Sequence, residues 1–521
     1  MGAVRIAEVT VMLQRGGPIA AAALLALSLG AWLAPRACAA PAYNANPILD
    51  QSSFALGTHT LNVIFVESDG TIDPDLETWT PEALATMQSK ISEATAWWEG
   101  LTAGFHPNAR LQFNLNYVNG GVPVATGYEP ISRVMGYAEL WIPDAMANLG
   151  YGGGDFLYQL RAFNSDQRVA QDTNWSTTIF VVNSINDPDG AFVDGSFAWS
   201  YTLPSPTASV LTYDNGAWGV EDFHRMLAHE LGHHYGALDE YYLSGRTNVE
   251  RRGYLNWLNG NAERDGQGNR VTPPEGTHKL MLDASLDPSS FTLGQVGQVD
   301  TDGDGVPDVL DTFPTLDGND SGSDPGRGVF RFEGTASVEP TENLGPLGSG
   351  QDITINWIAG AEYRVNESDW TSLPAADGAF GAYEEDLELL LVDLIPGQYA
   401  IDLRVLNSVD NASEIYSFDF TSTVIPGDAD FDGTVTFADF NALANHYGMA
   451  GVGWREGDFS GDGTVRFEDF NTLANHFGNS SVASGGAKPV PEPAAAAMLL
   501  GGLLALLCRW SRRLLGRQEA S

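Results

Sequence analysis

Two periods of apolar residues run along this chain. Leu61-Asn62-Val63-Ile64-Phe65-Val66 and Leu111-Gln112-Phe113-Asn114-Leu115 have strand-like spacing, and Thr177 to Asn183 is a β-branched run suited to the inside of a sheet. Between the first two, Met87 to Trp98 carries apolar residues at helical spacing. A stretch rich in Gly and aromatics over 190–213 predicts a hairpin, and a helix is predicted from about Val220 to Tyr235, stopped by Gly236. Strand, helix, strand, strand, helix is the order of an α/β layer arrangement with its last helix beneath a sheet edge. From Phe330 to Thr423 the helical period vanishes. Ile353-Thr354-Ile355-Asn356-Trp357 and Tyr399-Ala400-Ile401-Asp402-Leu403-Arg404 are the clearest strands there, so a small β-sandwich is expected. An internal repeat occupies 428–478.

Composition narrows this picture. A chain of 521 residues predicts about three or four units, and 43% apolar with 10% aromatic residues excludes a disordered protein. The net charge of −41 argues against nucleic acid or anionic lipid as partners and suits calcium or a saline exterior. Residues 1–42 hold Arg5 and Arg15, the apolar run Ile19 to Ala34 and the small residues Ala37-Cys38-Ala39-Ala40. This is the order of a secretory signal peptide, cleaved between Ala39 and Ala42. Cleavage would leave Cys508 as the one cysteine, so metal ions rather than disulfides are expected to staple the exported chain. The predicted organisation is a signal peptide (1–42), an α/β domain (43–298), a Gly/Asp-rich linker (299–326), a β-sandwich of immunoglobulin/fibronectin-like class (327–425), a small α module of paired loop–helix units (426–479), a Ser/Gly linker (480–489) and an apolar tail with a basic flank (490–517).

The candidate chemistry lies at His229-Glu230-Leu231-Gly232-His233. Residues four apart share a helix face, so both imidazoles can reach one ion, with Glu230 one step round and able to take a proton from a water there. Gly236 can adopt positive φ and reverse the chain, which returns Asp239 as a third ligand; its neighbour Glu240 is the alternative. Three protein ligands and one open position is the catalytic zinc arrangement, in which the metal acidifies a water and Glu230 serves as general base, then general acid. His234 points to another helix face.

The run from His229 to Tyr241 resembles the metzincin pattern in its Asp-ligand form, as in snapalysin, and is similar to the "HE-x-GH … DEY" run of IgA-peptidase-like zincins. The resemblance implies a zincin catalytic domain, a zinc metalloendopeptidase activity on a protein or peptide substrate, and a methionine turn beneath the metal, for which Met281 is the candidate. The third histidine usual in metzincins is absent.

Oxygen-rich loops follow. Asp300, Asp302 and Asp304, then Gly305, Asp308 and Asp311, present carboxylates at alternate positions as calcium requires, and resemble a thrombospondin type 3 repeat. Asp428, Asp430, Asp432 and Asp439 form a second loop; Asp458, Ser460, Asp462 and Asp469 form a third, with Ser460 replacing a carboxylate and predicting a weaker site. Each of the last two leads into a near-identical helix, ending at His446 and His476. The tandem resembles a dockerin module, which implies calcium-dependent docking to a cohesin-like partner. Val490-Pro491-Glu492-Pro493, the apolar run Ala494 to Cys508 and the arginines after it resemble a PEP-CTERM sorting signal. That implies transient membrane association, an exosortase-type partner and a cell-surface or extracellular bacterial protein. The competing reading is a non-catalytic, calcium-dependent adhesion or scaffold protein that retains a zincin fold. Glu230 argues against it, since a structural metal has no need of a general base.

Overall fold

The computed structural model describes residues 41–481. Cys38, Cys508, the expected sorting segment and most of the cleavable signal expected at the N-terminus therefore lie outside the described residues. Among the described residues no helix is long and apolar enough to cross a membrane.

The first half is built on a six-stranded sheet. Its strands are β1 (Thr58–Ser68), β2 (Gln112–Tyr117), β3 (Val124–Thr126), β4 (Trp175–Val182), β5 (Ala198–Tyr201) and β6 (Ala208–Thr212). They run in the order β2-β1-β4-β6-β5, with β3 pairing the far end of β1. All pairs are parallel except β5 with β6, so β5 is an antiparallel edge strand. Central strands of a parallel sheet are covered on both faces and read as continuous apolar runs, as β4 does.

Helix α1 (Pro81–Leu101) covers one face together with a later helix described below; α2 (Ala138–Asn148) and α3 (Phe156–Ala170) cover the other. Helix α1 extends beyond the periodic stretch because the Thr80 side chain accepts from the Ala83 N–H and Pro81 occupies the first turn. The apolar pattern along the chain does not predict α2 or α3. Helix α3 buries Gln159, Arg161, Asn164 and Arg168 beside Leu160 and Phe163, so its inward face is largely polar and leaves no apolar stripe. Inside, Arg168 donates to the Asp50 carbonyl at 2.9 Å and Asn164 donates to the Thr207 carbonyl at 2.9 Å.

Helix α4 (Phe223–His234), which carries His229 and His233, packs on α1, where the Trp98 indole donates to the Ala228 carbonyl at 3.0 Å. Beyond it come a two-stranded ribbon, β7 (Arg251–Arg252) with β8 (Trp257–Leu258), and two short helices, α5 (Leu280–Asp283) and α6 (Ser290–Gln295).

The second half begins with β9 (Thr315–Asn319), β10 (Phe330–Ser337), β11 (Ile358–Val365), β12 (Thr371–Leu373), β13 (Glu384–Leu391), β14 (Gly397–Asn407) and β15 (Tyr416–Ser422). They make antiparallel sheets β13-β10-β9 and β12-β11-β14-β15, which face each other across one core that includes Phe330, Phe332, Leu389, Ile401, Leu403 and Phe420. Ile353 to Trp357 is not a strand of either sheet. It makes one bridge, Thr354 with Tyr43, and buries Ile353 and Ile355 in a separate core with Phe54, Leu56, Trp175, Tyr254, Val309 and Leu310. Its alternation reports burial correctly, but the partner is the first half of the chain. Helices α7 (Phe437–His446) and α8 (Phe467–His476) close the described chain and share a core of Val435, Phe440, Leu443, Val465, Phe470 and Leu473. Arg455 forms a two-pronged pair with Asp393, tying these units to the two-sheet region.

Candidate metal centre

Helix α4 places His229 and His233 one turn apart, with ring centroids 5.0 Å apart. The helix ends at Tyr235, and Gly236 adopts φ +91°, a conformation that glycine takes without a Cβ penalty. A Cβ there would also meet Gly253 Cα at 3.3 Å. The reversal returns Asp239, whose Oδ1 lies 3.1 Å from His229 Nε2 and 3.3 Å from His233 Nε2. These three residues form one of the described clusters able to hold a metal ion.

The other ring nitrogens set the tautomers. His229 Nδ1 donates to the Leu280 carbonyl and His233 Nδ1 to the Ala237 carbonyl, each at 2.8 Å. With Nδ1 protonated in both rings, two Nε2 lone pairs and a carboxylate oxygen converge on one point. Positive charge must sit between them. Burial opposes the charged form of His233, yet Asp239 outweighs it and lifts the pKa to about 9. Burial pushes Asp239 up, but the two imidazoles hold it well below the usual carboxylate range. Two imidazoles and one carboxylate, each anchored by its surroundings, are a donor set that suits zinc with a position left open.

Glu240 is directed elsewhere. Its Oε1 accepts from Ser289 Oγ at 2.5 Å and Thr292 Oγ1 at 3.1 Å, and Lys279 Nζ lies 3.0 Å from Oε2. Of the two candidates for third ligand, the structure brings Asp239 to the histidines. Met281 is fully buried under α4, and a Cβ on Gly232 would come within 2.8 Å of its Sδ. The carbonyl of Met281 accepts from the Glu240 N–H at 2.7 Å, so the 280–281 segment braces both the helix and the returning chain.

Glu230 is buried, and its Oε2 accepts from Ser200 on the edge strand β5. No contiguous pattern marks Ser200, Ser209 and His59 as site residues, or gives Thr177 a role beyond its strand. Tyr241 lies beside Asp239 and Glu230; burial first, then those charges, push its phenol up. His234 is wholly buried against the sheet, where burial and then the charge of His233 drive its pKa down to about 3. The available signal was Ser and Thr at inward positions of strands, which have no reason to be there without buried partners.

The aspartate loops divide. Asp300, Asp302 and Asp304 gather their carboxylates in one cluster. Asp308 instead accepts from the Thr301 N–H at 2.7 Å, and Asp311 accepts from the Asn411 amide at 2.8 Å, so neither joins it. In the next loop Asp428, Asp430 and Asp439 gather, and Asp432 caps Thr434 outside the cluster. Asp428 is fully buried with Oδ1 unpartnered, and burial, then the neighbouring aspartates, raise its pKa to about 6. The third loop differs: the Ser460 hydroxyl donates to Asp458 Oδ1 at 3.1 Å and Arg466 pairs with Asp462 at 3.0 Å. Asp469 accepts from the Ser460 N–H at 2.9 Å.

No family model matches the chain, and no curated protein does. Among solved structures it matches Astrotactin-2, described as a conserved vertebrate-specific and perforin-like membrane protein involved in neuronal development. The match has 13% identity over 34% of this chain and 30% of that one, with a TM-score of 0.18. A likeness so loose carries no argument about either fold or function.

Proposed function

We propose that this chain is an exported zinc-dependent endopeptidase carrying calcium-binding loops. The observation that supports it most is the convergence of His229 Nε2, His233 Nε2 and Asp239 Oδ1, with both Nδ1 atoms committed to backbone carbonyls. Zinc held there supplies Lewis acidity, polarising a carbonyl and lowering the pKa of a water to roughly 7. His229, His233 and Asp239 hold the ion. Glu230, fixed through Oε2 by Ser200, keeps Oε1 for the attacking water, takes its proton and returns it to the leaving amine. Strand β5 is paired on one side only among the described strands, so an extended peptide can add to its free edge beside Glu230.

Casein hydrolysis by the exported chain, with and without a zinc chelator and beside Glu230→Ala, tests this. Zinc-dependent cleavage lost by at least about a hundredfold in the variant is expected. A wild type that binds no zinc, or binds it and cleaves neither casein nor a peptide library, overturns the reading.

A further inference from the structure

A row of polar side chains crosses the sheet under α4. His59 stands on β1, Thr177 on β4, Ser209 on β6 and Ser200 on β5, which are adjacent strands in the sheet. His234 of α4 inserts between Thr177 and Ser209. The resulting chain runs from Tyr235 Oη to His59 Nδ1 (2.7 Å), His59 Nε2 to Thr177 Oγ1 (2.8 Å), Thr177 Oγ1 to His234 Nδ1 (2.8 Å), His234 Nε2 to Ser209 Oγ (2.7 Å), Ser209 Oγ to Ser200 Oγ (2.6 Å) and Ser200 Oγ to Glu230 Oε2. His59, Thr177, Ser209 and His234 are fully buried.

Hydrogen counting gives this chain a direction. Ser200 Oγ donates to Glu230 Oε2, the acceptor end of the chain. Ser200 then has no second hydrogen and accepts from Ser209, which in turn accepts from His234 Nε2. Both imidazoles are fully buried and their partners in the chain are hydroxyls rather than carboxylates, so the cost of burying an uncompensated charge keeps each with one hydrogen. His234 Nδ1 is therefore bare and accepts from Thr177; Thr177 accepts from His59 Nε2, and His59 Nδ1 accepts from the Tyr235 hydroxyl. Six links are filled by six hydrogens, and every donor points toward Glu230. His59 and His234 thus hold the Nε2–H tautomer, opposite to the Nδ1–H form that the carbonyls impose on His229 and His233.

We infer that Ser200 is a positioning residue for Glu230, locked as a donor to Oε2 by a one-directional hydrogen-bond chain that begins at Tyr235. Its catalytic consequence rests on the endopeptidase reading; its proton arrangement does not. A hydroxyl held in one donor direction keeps the carboxylate in one rotamer, so that Oε1 meets the water without reorganisation.

Two measurements on the zinc-loaded exported chain test this. Ser200→Ala is expected to lower kcat about tenfold with KM and bound zinc unchanged, while Ser200→Thr, which keeps the hydroxyl, recovers most of the loss. An unchanged kcat in Ser200→Ala, or an equal loss in both variants, overturns the positioning role. Side-chain ¹⁵N NMR of the histidines reads the chain directly: His59 and His234 should each show a protonated Nε2 and a bare Nδ1. A proton on Nδ1 of either overturns the direction. A wild type that holds zinc but cleaves nothing fails the endopeptidase reading alone, because the NMR result still decides the chain.

Discussion

At the scale of single residues, adjacent side chains in this protein have opposite tasks. Asp239 turns to the histidines, whereas Glu240 is buried against Lys279, Ser289 and Thr292. Asp239→Asn should therefore lose bound zinc, measured by metal analysis, and should also lower the thermal midpoint of the metal-free protein, because the buried pair with His233 is lost. Glu240→Ala should retain zinc but destabilise the fold by about 3 kcal/mol, because Lys279 loses its partner and two hydroxyls lose an acceptor. Glu129 gives a pH prediction. Its burial first, then Asp75 and Glu77, raise its pKa from 4.5 to about 7. A carboxyl with a raised folded-state pKa contributes stability that is present below its unfolded value and lost as pH rises through its folded value. The thermal midpoint should fall between about pH 4.5 and 7, and Glu129→Gln, which still accepts from the Leu76 and Glu77 N–H groups, should flatten that slope.

At the scale of elements, the duplicated loop–helix units are alike in sequence but unlike in charge balance. The Asp428 loop holds an unpartnered buried carboxylate oxygen, whereas Ser460 and Arg466 already satisfy groups in the Asp458 loop. Calorimetric titration should find calcium binding tighter at the first loop, so Asp428→Asn removes the higher-affinity phase and Asp458→Asn the lower-affinity one. Without calcium, the raised pKa of Asp428 contributes stability at low pH that is lost as pH rises from 3.8 through about 6. Calcium should therefore raise the unfolding temperature of this module more at pH 7 than at pH 5. The Thr436 cap, whose hydroxyl accepts from the Ala438 N–H, emerges from the structure, whereas the repeated Phe and Leu positions are legible because loop and helix are consecutive in sequence. Helix α3 is not, because its inward polar residues have meaning only against Thr207 and Asp50.

At the scale of the whole molecule, the chain folds back on itself. The segment from Ala42 to Leu56 packs with Val306 to Leu310, Ile353 and Ile355, and the Tyr254 hydroxyl donates to the Thr341 carbonyl at 2.7 Å. Asp50 accepts from the Ser349 N–H at 2.8 Å. Residues on either side of 298 thus share one core. A fragment of residues 41–298 should lack a cooperative thermal transition and bind a hydrophobic dye, whereas residues 41–425 should melt cooperatively; calorimetry and dye fluorescence distinguish them.

What the sequence determined by itself was chemistry carried on contiguous residues. Helical period placed His229 and His233 on one face, Gly236 marked the reversal, and alternating aspartates marked the loops; each follows from backbone geometry within a dozen positions. Tertiary structure alone decided which residues surround that chemistry. The choice of Asp239 over Glu240 depended on Lys279, Ser289 and Thr292 packing against the latter. The partners of Glu230 depended on the strand order, which brings β5, β6, β4 and β1 side by side beneath one helix. Strand neighbours are set by crossover connections and not by local periodicity, so Ser200, Ser209, Thr177 and His59 become one row only after the sheet has formed.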